Sequence, residues 1–168
     1  NVAAALHVGV LADAAGYSSF KAKPTFGGSD ESWFVGYNNT DATFSGKLIA
    51  KSVTKVGTGN WTIKGNENSS SITVKEGKLT IFNLSGSATT GTMTIGKTAT
   101  LTGTGTTNSI VAQSGSILQP GLTEKAIGTI NTKSNVIMQN GATFIVNVGS
   151  SSNSKLIVKG SFLTMVVN

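Results

Sequence analysis

The chain has 168 residues and a mass of 17.1 kDa, a length that suits one domain. Gly, Thr, Ser and Asn together supply nearly half of it and only 12% of its residues are charged. This disfavours a helical protein, because helices draw on Ala, Leu, Glu, Lys, Gln and Arg. Hydrophobic residues still make up 38%, enough apolar surface to fold rather than stay disordered.

All 13 positive charges are Lys, so the formal net charge of +6 is built from flexible ammonium groups without a guanidinium fork. They are spread from Lys21 to Lys159 and not interleaved with aromatics, a pattern that predicts soluble β-surface rather than a nucleic-acid partner. No Cys is present, which removes disulfides, thiolate metal ligands and thiol nucleophiles.

Along the chain, residues 2–15 form an apolar stretch that is too short for a membrane helix and contains His7 and Asp13. No Lys precedes it, so it does not read as an intact signal peptide either. The expectation is a chain that starts inside a longer precursor, with no membrane insertion by this segment. Residues 1–40 are expected to form an N-terminal cap or irregular first rungs, and residues 41–168 one continuous solenoid. Within the first part, Trp33, Val35 and Tyr37 alternate against Phe34, so one face should be core and the other exposed. Trp33 and Tyr37 are the candidate carbohydrate contacts, because exposed aromatic rings offer sugars a flat platform.

From about Val53 the chain becomes a run of short alternating segments broken by Gly, Asn or Ser, which reads as β-strands. One phrase returns: an aliphatic residue, a small turn, a second large apolar residue. It runs Val74 to Leu79, Ile95 to Leu101, Ala112 to Leu118 and Met138 to Phe144, with a looser copy at Val158 to Phe162. Its starts lie 21, 17, 26 and 20 residues apart, within the range of stacked solenoid rungs. Such a rung buries its apolar side chains only against its neighbour. The sequence therefore predicts an all-β parallel β-helix of roughly seven rungs with an open C-terminal end, about 34 Å long at the usual strand spacing. An aliphatic ladder of Val74, Ile95, Ala112 and Met138 should run beside Leu79, Leu101, Leu118 and Phe144. A β-sandwich or barrel would share the alternation but not the returning phrase.

The segment Val53-Thr-Lys55-Val-Gly57-Thr-Gly59-Asn-Trp61-Thr-Ile63, followed by Ile72-Thr-Val74-Lys-Glu-Gly77-Lys-Leu79, resembles the passenger-associated (autotransporter-associated) β-strand repeat of secreted and surface-exposed bacterial proteins. Leu118-Gln-Pro120-Gly121, Ile127-Gly128-Thr129-Ile130 and Lys155-Leu156-Ile-Val158-Lys-Gly160 follow in the order seen in these passengers. The likeness covers about Asp41 to Phe162. Val53 stands where the family commonly has Leu, and residues 1–40 match only loosely. The resemblance implies a right-handed parallel β-helix, export from a bacterium and an extracellular or outer-membrane location. It implies no enzyme, since the repeat is a scaffold for many activities. Partners would be adjacent rungs or domains of the precursor, and surface glycans or host ligands.

No catalytic, cofactor or metal site is predicted. His7 is the single histidine, and among seven acids only Asp30 and Glu31 are adjacent. Polysaccharide lyases and glycosidases also use β-helices, but their chemistry needs paired carboxylates or a carboxylate-bound cation. Glu76 has no acidic counterpart in the following repeats. Gly57-Thr-Gly59 and Gly103-Thr-Gly105 lack the Lys and helix of a phosphate loop and read as rung corners. The Thr run from Thr92 to Thr104 has the look of an ice-binding hydroxyl array, but its spacing does not return on later rungs, and it reads as β-propensity on a solvent face. The expected function is a non-catalytic stalk or adhesin segment, with a polysaccharide-binding or polysaccharide-cleaving β-helix as the alternative.

Overall fold

The structure is a computed structural model that describes residues 5–13, 30–46, 48–65, 69–83 and 86–164. Among these residues there is no helix. Fifteen strands follow in order. The first five are β1 (Ala5–Val8), β2 (Ser32–Val35), β3 (Ala42–Phe44), β4 (Ser52–Lys55) and β5 (Asn60–Ile63). Two long strands, β6 (Ser71–Ile81) and β7 (Thr92–Gly103), occupy the middle. Then come β8 (Thr106–Thr107), β9 (Ser109–Ala112), β10 (Ile117–Pro120) and β11 (Thr129–Thr132). The last four are β12 (Val136–Met138), β13 (Thr143–Phe144), β14 (Lys155–Val158) and β15 (Phe162–Thr164).

Every pairing between these strands is parallel. The antiparallel contacts are two isolated bridges, Gly103 with Gly121 and Val148 with Asn153. Parallel neighbours need a crossover between them, and here the crossover is the rest of one coil. The chain is therefore a parallel β-solenoid, and the sandwich and the barrel are excluded.

Three faces stack. The first is the ladder β1-β2-β4-β6-β7-β9-β12-β15. The second runs β3-β5-β6-β7-β10-β13, and the third is β8-β11-β14. β6 and β7 serve two faces each because they bend in mid-strand, where their register shifts between Val74 and Glu76. Six coils carry both main faces and the end strands β1 and β15 contribute to the first face alone, so the complete turns are slightly fewer than the roughly seven rungs expected. The first ladder crosses residue 40 without a break, Ser32–Val35 pairing residue for residue with Ser52–Lys55.

The predicted column forms. Val74 pairs with Ile95, Ile95 with Ala112 and Ala112 with Met138. On the second face Leu79 pairs with Leu101, Leu101 with Leu118 and Leu118 with Phe144. All are buried except Phe144, which ends its column and is 37% exposed. A companion column on the first face runs Trp33, Val53, Ile72, Met93, Ile110 and Val136. Each fully buried Leu or Ile contributes about 1.5–3 kcal/mol from desolvation, and alternation along the strand puts two such residues per strand into the core. The looser fifth copy of the phrase does not join. Val158 lies in β14 opposite Thr132, and Phe162 in β15 opposite Val136. The coil from Met138 to its partner Thr164 takes 26 residues, whereas the copy returns after 20, so Val158 falls short of the first face and lands on the third.

Corners repeat as well. Gly57, Gly77, Gly115 and Gly141 have φ of 71°, 67°, 79° and 82°, the left-handed region where a side chain is strained. At Gly77 an added Cβ would also stand 2.5 Å from the carbonyl oxygen of Gly57 on the preceding coil. Both effects are local to the backbone, so neither can relax by a rotamer change. Gly77→Ala is expected to cost about 2–4 kcal/mol, read as a lowered urea midpoint at unchanged slope.

Candidate functional site

The outward residues of the first face form two columns. The first contains Ser32, Ser52, Ser71, Thr92 and Ser109. The second continues from His7 and Phe34 through Thr54, Thr73 and Thr94 to Val111 and Ile137. In β2, β4, β7 and β9 each of these positions is half-exposed and alternates with a buried one. Period-two side-chain placement on a parallel ladder thus turns a local sequence habit, Ser/Thr-x-Thr, into a grid. Its rows are about 4.8 Å apart and its columns about 6.6 Å.

Hydroxyls of the first column bond between coils. The Ser52 Oγ donates to the Ser32 Oγ at 2.9 Å and the Ser109 Oγ to the Thr92 Oγ1 at 3.0 Å. The second face behaves differently: its Thr80 and Thr102 are buried and share a 2.9 Å hydrogen bond. The segment 121–126 passes nearby, and the Gln119 Nε2 donates to the Glu124 carbonyl at 3.0 Å. The Thr92 to Thr104 run is therefore not one solvent face. Its halves lie on different faces of the solenoid, because β7 bends between them. Thr92 has hydroxyl-bearing partners on both neighbouring coils, Ser71 and Ser109, whereas Thr94 has Thr73 on the preceding coil and Val111 on the following one.

At one end of the grid sits an aromatic cluster. The His7 ring stacks on Phe34 with centroids 4.6 Å apart and planes at 7°. His7 Nδ1 is 2.9 Å from the Tyr37 hydroxyl, and the Tyr37 ring lies 5.4 Å from the imidazole. Tyr37 is 49% exposed. The two sequence-predicted carbohydrate contacts are separated: Trp33 is only 4% exposed and stands in the core column beneath Val53. Alternation sends Trp33 inward and Phe34 outward, so Phe34 and His7 take its place beside Tyr37.

One lysine is not on the surface. Lys55 stands in the aliphatic column between Val35 and Val74 and is 1% exposed. Its Nζ donates to the carbonyls of Val56 at 2.8 Å, Gly57 at 2.7 Å and Glu76 at 3.2 Å. Three ammonium protons thus meet three acceptors, two on its own corner and one on the next. Burial holds the Lys55 ammonium below its ordinary pKa, and the negative charges of Glu76 and Asp41 pull it partly back. Reading the lysines as a solvated charge excess misses this residue. The signal was present, since Val53-Thr54-Lys55 places Lys55 on the same side as the buried Val53.

Two of the acids accept hydrogen bonds from residues far along the chain. Both Asp13 oxygens accept from Ser45, at 2.7 Å from its N–H and 2.6 Å from its hydroxyl. The Asp41 Oδ1 accepts from the Asn60 N–H at 2.8 Å. Asn39 and Asn135 accept likewise from Thr58 and Ser161 on the coils that follow. Among the described residues no three of His, Asp and Glu gather as metal ligands would. Gly57-Thr-Gly59 lies between β4 and β5, and Gly103-Thr-Gly105 runs from the last residue of β7 to the start of β8, both at corners.

Comparison with protein-family models, with curated proteins and with solved structures finds no match to this chain. No helix among the described residues is long and apolar enough to cross a membrane.

Proposed function

We propose that the chain is a non-catalytic β-helical stalk or adhesin segment of a bacterial secreted or cell-surface protein. The observation that carries this reading is the unbroken interior column from Val35 to Met138, in which each coil covers the one before. A solenoid bound together this way is stiff along its axis, and its length grows by one strand spacing per coil. Its outer faces are free to vary without disturbing the core. The passenger-repeat phrases give the reading its location, extracellular or on the outer membrane, and its partners, neighbouring rungs or domains.

An antibody raised against the chain should label intact, unpermeabilised cells of the source bacterium or their culture medium. Labelling only after lysis would refute the surface assignment. Hydrolysis or elimination of pectin- or alginate-like polymers, lost on changing Asp30, Glu31 or Glu76, would instead establish the cleaving alternative. The binding alternative is favoured by the exposed cluster of His7, Phe34 and Tyr37.

A further inference from the structure

We propose that the outward side of the first face binds a neutral polysaccharide lying along the solenoid axis. Sugar rings would stack at the Phe34 and Tyr37 end and sugar hydroxyls would bond to Thr54, Thr73 and Thr94. Three observations on different groups converge.

The aromatic cluster is presented, not buried. Phe34 is half-exposed, Tyr37 more so, and the His7 stack with its bond to the Tyr37 hydroxyl holds the rings in place. Pre-set aromatic surface meets the apolar face of a pyranose at small entropic cost. Next, Thr54, Thr73 and Thr94 follow Phe34 in register, one per coil, and their hydroxyls have no partner among the described residues. The equivalent hydroxyls on the second face, Thr80 and Thr102, bond each other under cover. The Thr54 column is thus the uncovered one, and each of its hydroxyls can both donate and accept.

Charge decides the class of ligand. In a chain of formal net charge +6, the two outward columns themselves carry no Lys, Asp or Glu, and the exposed Lys51 and Lys75 stand only at their margins. An acidic polymer or a nucleic acid lying along the columns would find cations only at their margins and none in the rows it follows. A neutral polymer whose units repeat at about the 4.8 Å row spacing would meet one hydroxyl per coil. The proposal needs only the solenoid; it does not depend on the stalk reading, and surface labelling tests that reading separately.

The test is depletion from solution by microcrystalline cellulose and by chitin, with soluble polygalacturonate as the acidic comparison. Saturable binding to cellulose or chitin is expected, without binding to polygalacturonate. Tyr37→Ala should weaken it about threefold to tenfold. Thr73→Lys, which sets a charge in the middle of the grid, should weaken it more than tenfold at unchanged circular dichroism, whereas Thr62→Lys on the second face should leave it intact. Three results would overturn the proposal. One is an absence of depletion by either polymer at high protein concentration. Another is equal binding by the Thr73→Lys protein. The third is inhibition of ice recrystallisation without polymer binding, which would reassign the grid to ice.

Discussion

Lys55→Met is expected to lower the free energy of unfolding by about 2–4 kcal/mol. Methionine keeps the column filled, because its unbranched chain occupies much of the space of the lysine stem. What it removes is the donor set, leaving the carbonyls of Val56, Gly57 and Glu76 without the ammonium that joins two corners. Relief of the ammonium's desolvation offsets part of that loss, which keeps the figure below the sum of three charge-assisted bonds. Lys55→Ala should cost more, since it adds a cavity. The same residue gives the fold a pH signature. Its pKa is lowered in the folded protein by burial, so in the window between that value and the ordinary one, about 10.4, the unfolded chain holds a proton that the folded chain has released. Stability contributed by this group therefore rises with pH through the window and is flat below it. Urea midpoints measured from neutral pH to about pH 10 should show this rise in the parent and not in Lys55→Met. A methionine variant as stable as the parent would mean that the corner carbonyls find other donors.

Leu101→Ala is expected to cost about 3–5 kcal/mol, whereas Phe144→Ala, in the same column, should cost less than about 1.5 kcal/mol. Leu101 is fully buried between Leu79 and Leu118, with a coil on either side. Phe144 has a paired neighbour on one side only and is partly exposed. Because each coil touches only its neighbours, the damage should be local. Hydrogen exchange in Leu101→Ala should accelerate first in β6, β7 and β10 and spare β1 and β2. Uniform acceleration along the chain would show instead that the turns unfold as one unit.

The returning phrase was enough to place Val74, Ile95, Ala112 and Met138 in one column, and Leu79, Leu101 and Leu118 in another. That worked because a solenoid turns spacing along the chain into neighbours in space, with the corner glycines marking each turn. The phrase failed at Val158, which arrives 20 residues after Met138 where the coil needs 26 to return to the first face at Thr164, so the copy lies on the third face. Trp33 stands on the core side, which the sequence left open because hydrophobic alternation names two faces without saying which is inside. Register with Val53 settles that.

Composition and repeat spacing by themselves determined an all-β stack of coils with an aliphatic interior, since Thr, Ser, Asn and Gly leave few other ways to bury the hydrophobic third of the chain. The tertiary structure alone decided what each coil faces. It put Lys55 inside, divided the Thr run of β7 between a bare face and a covered one, and brought His7 over Phe34 from 27 residues away. These outcomes depend on how a strand is paired with the coil above and below. Pairing is a long-range choice that no local pattern of side chains records.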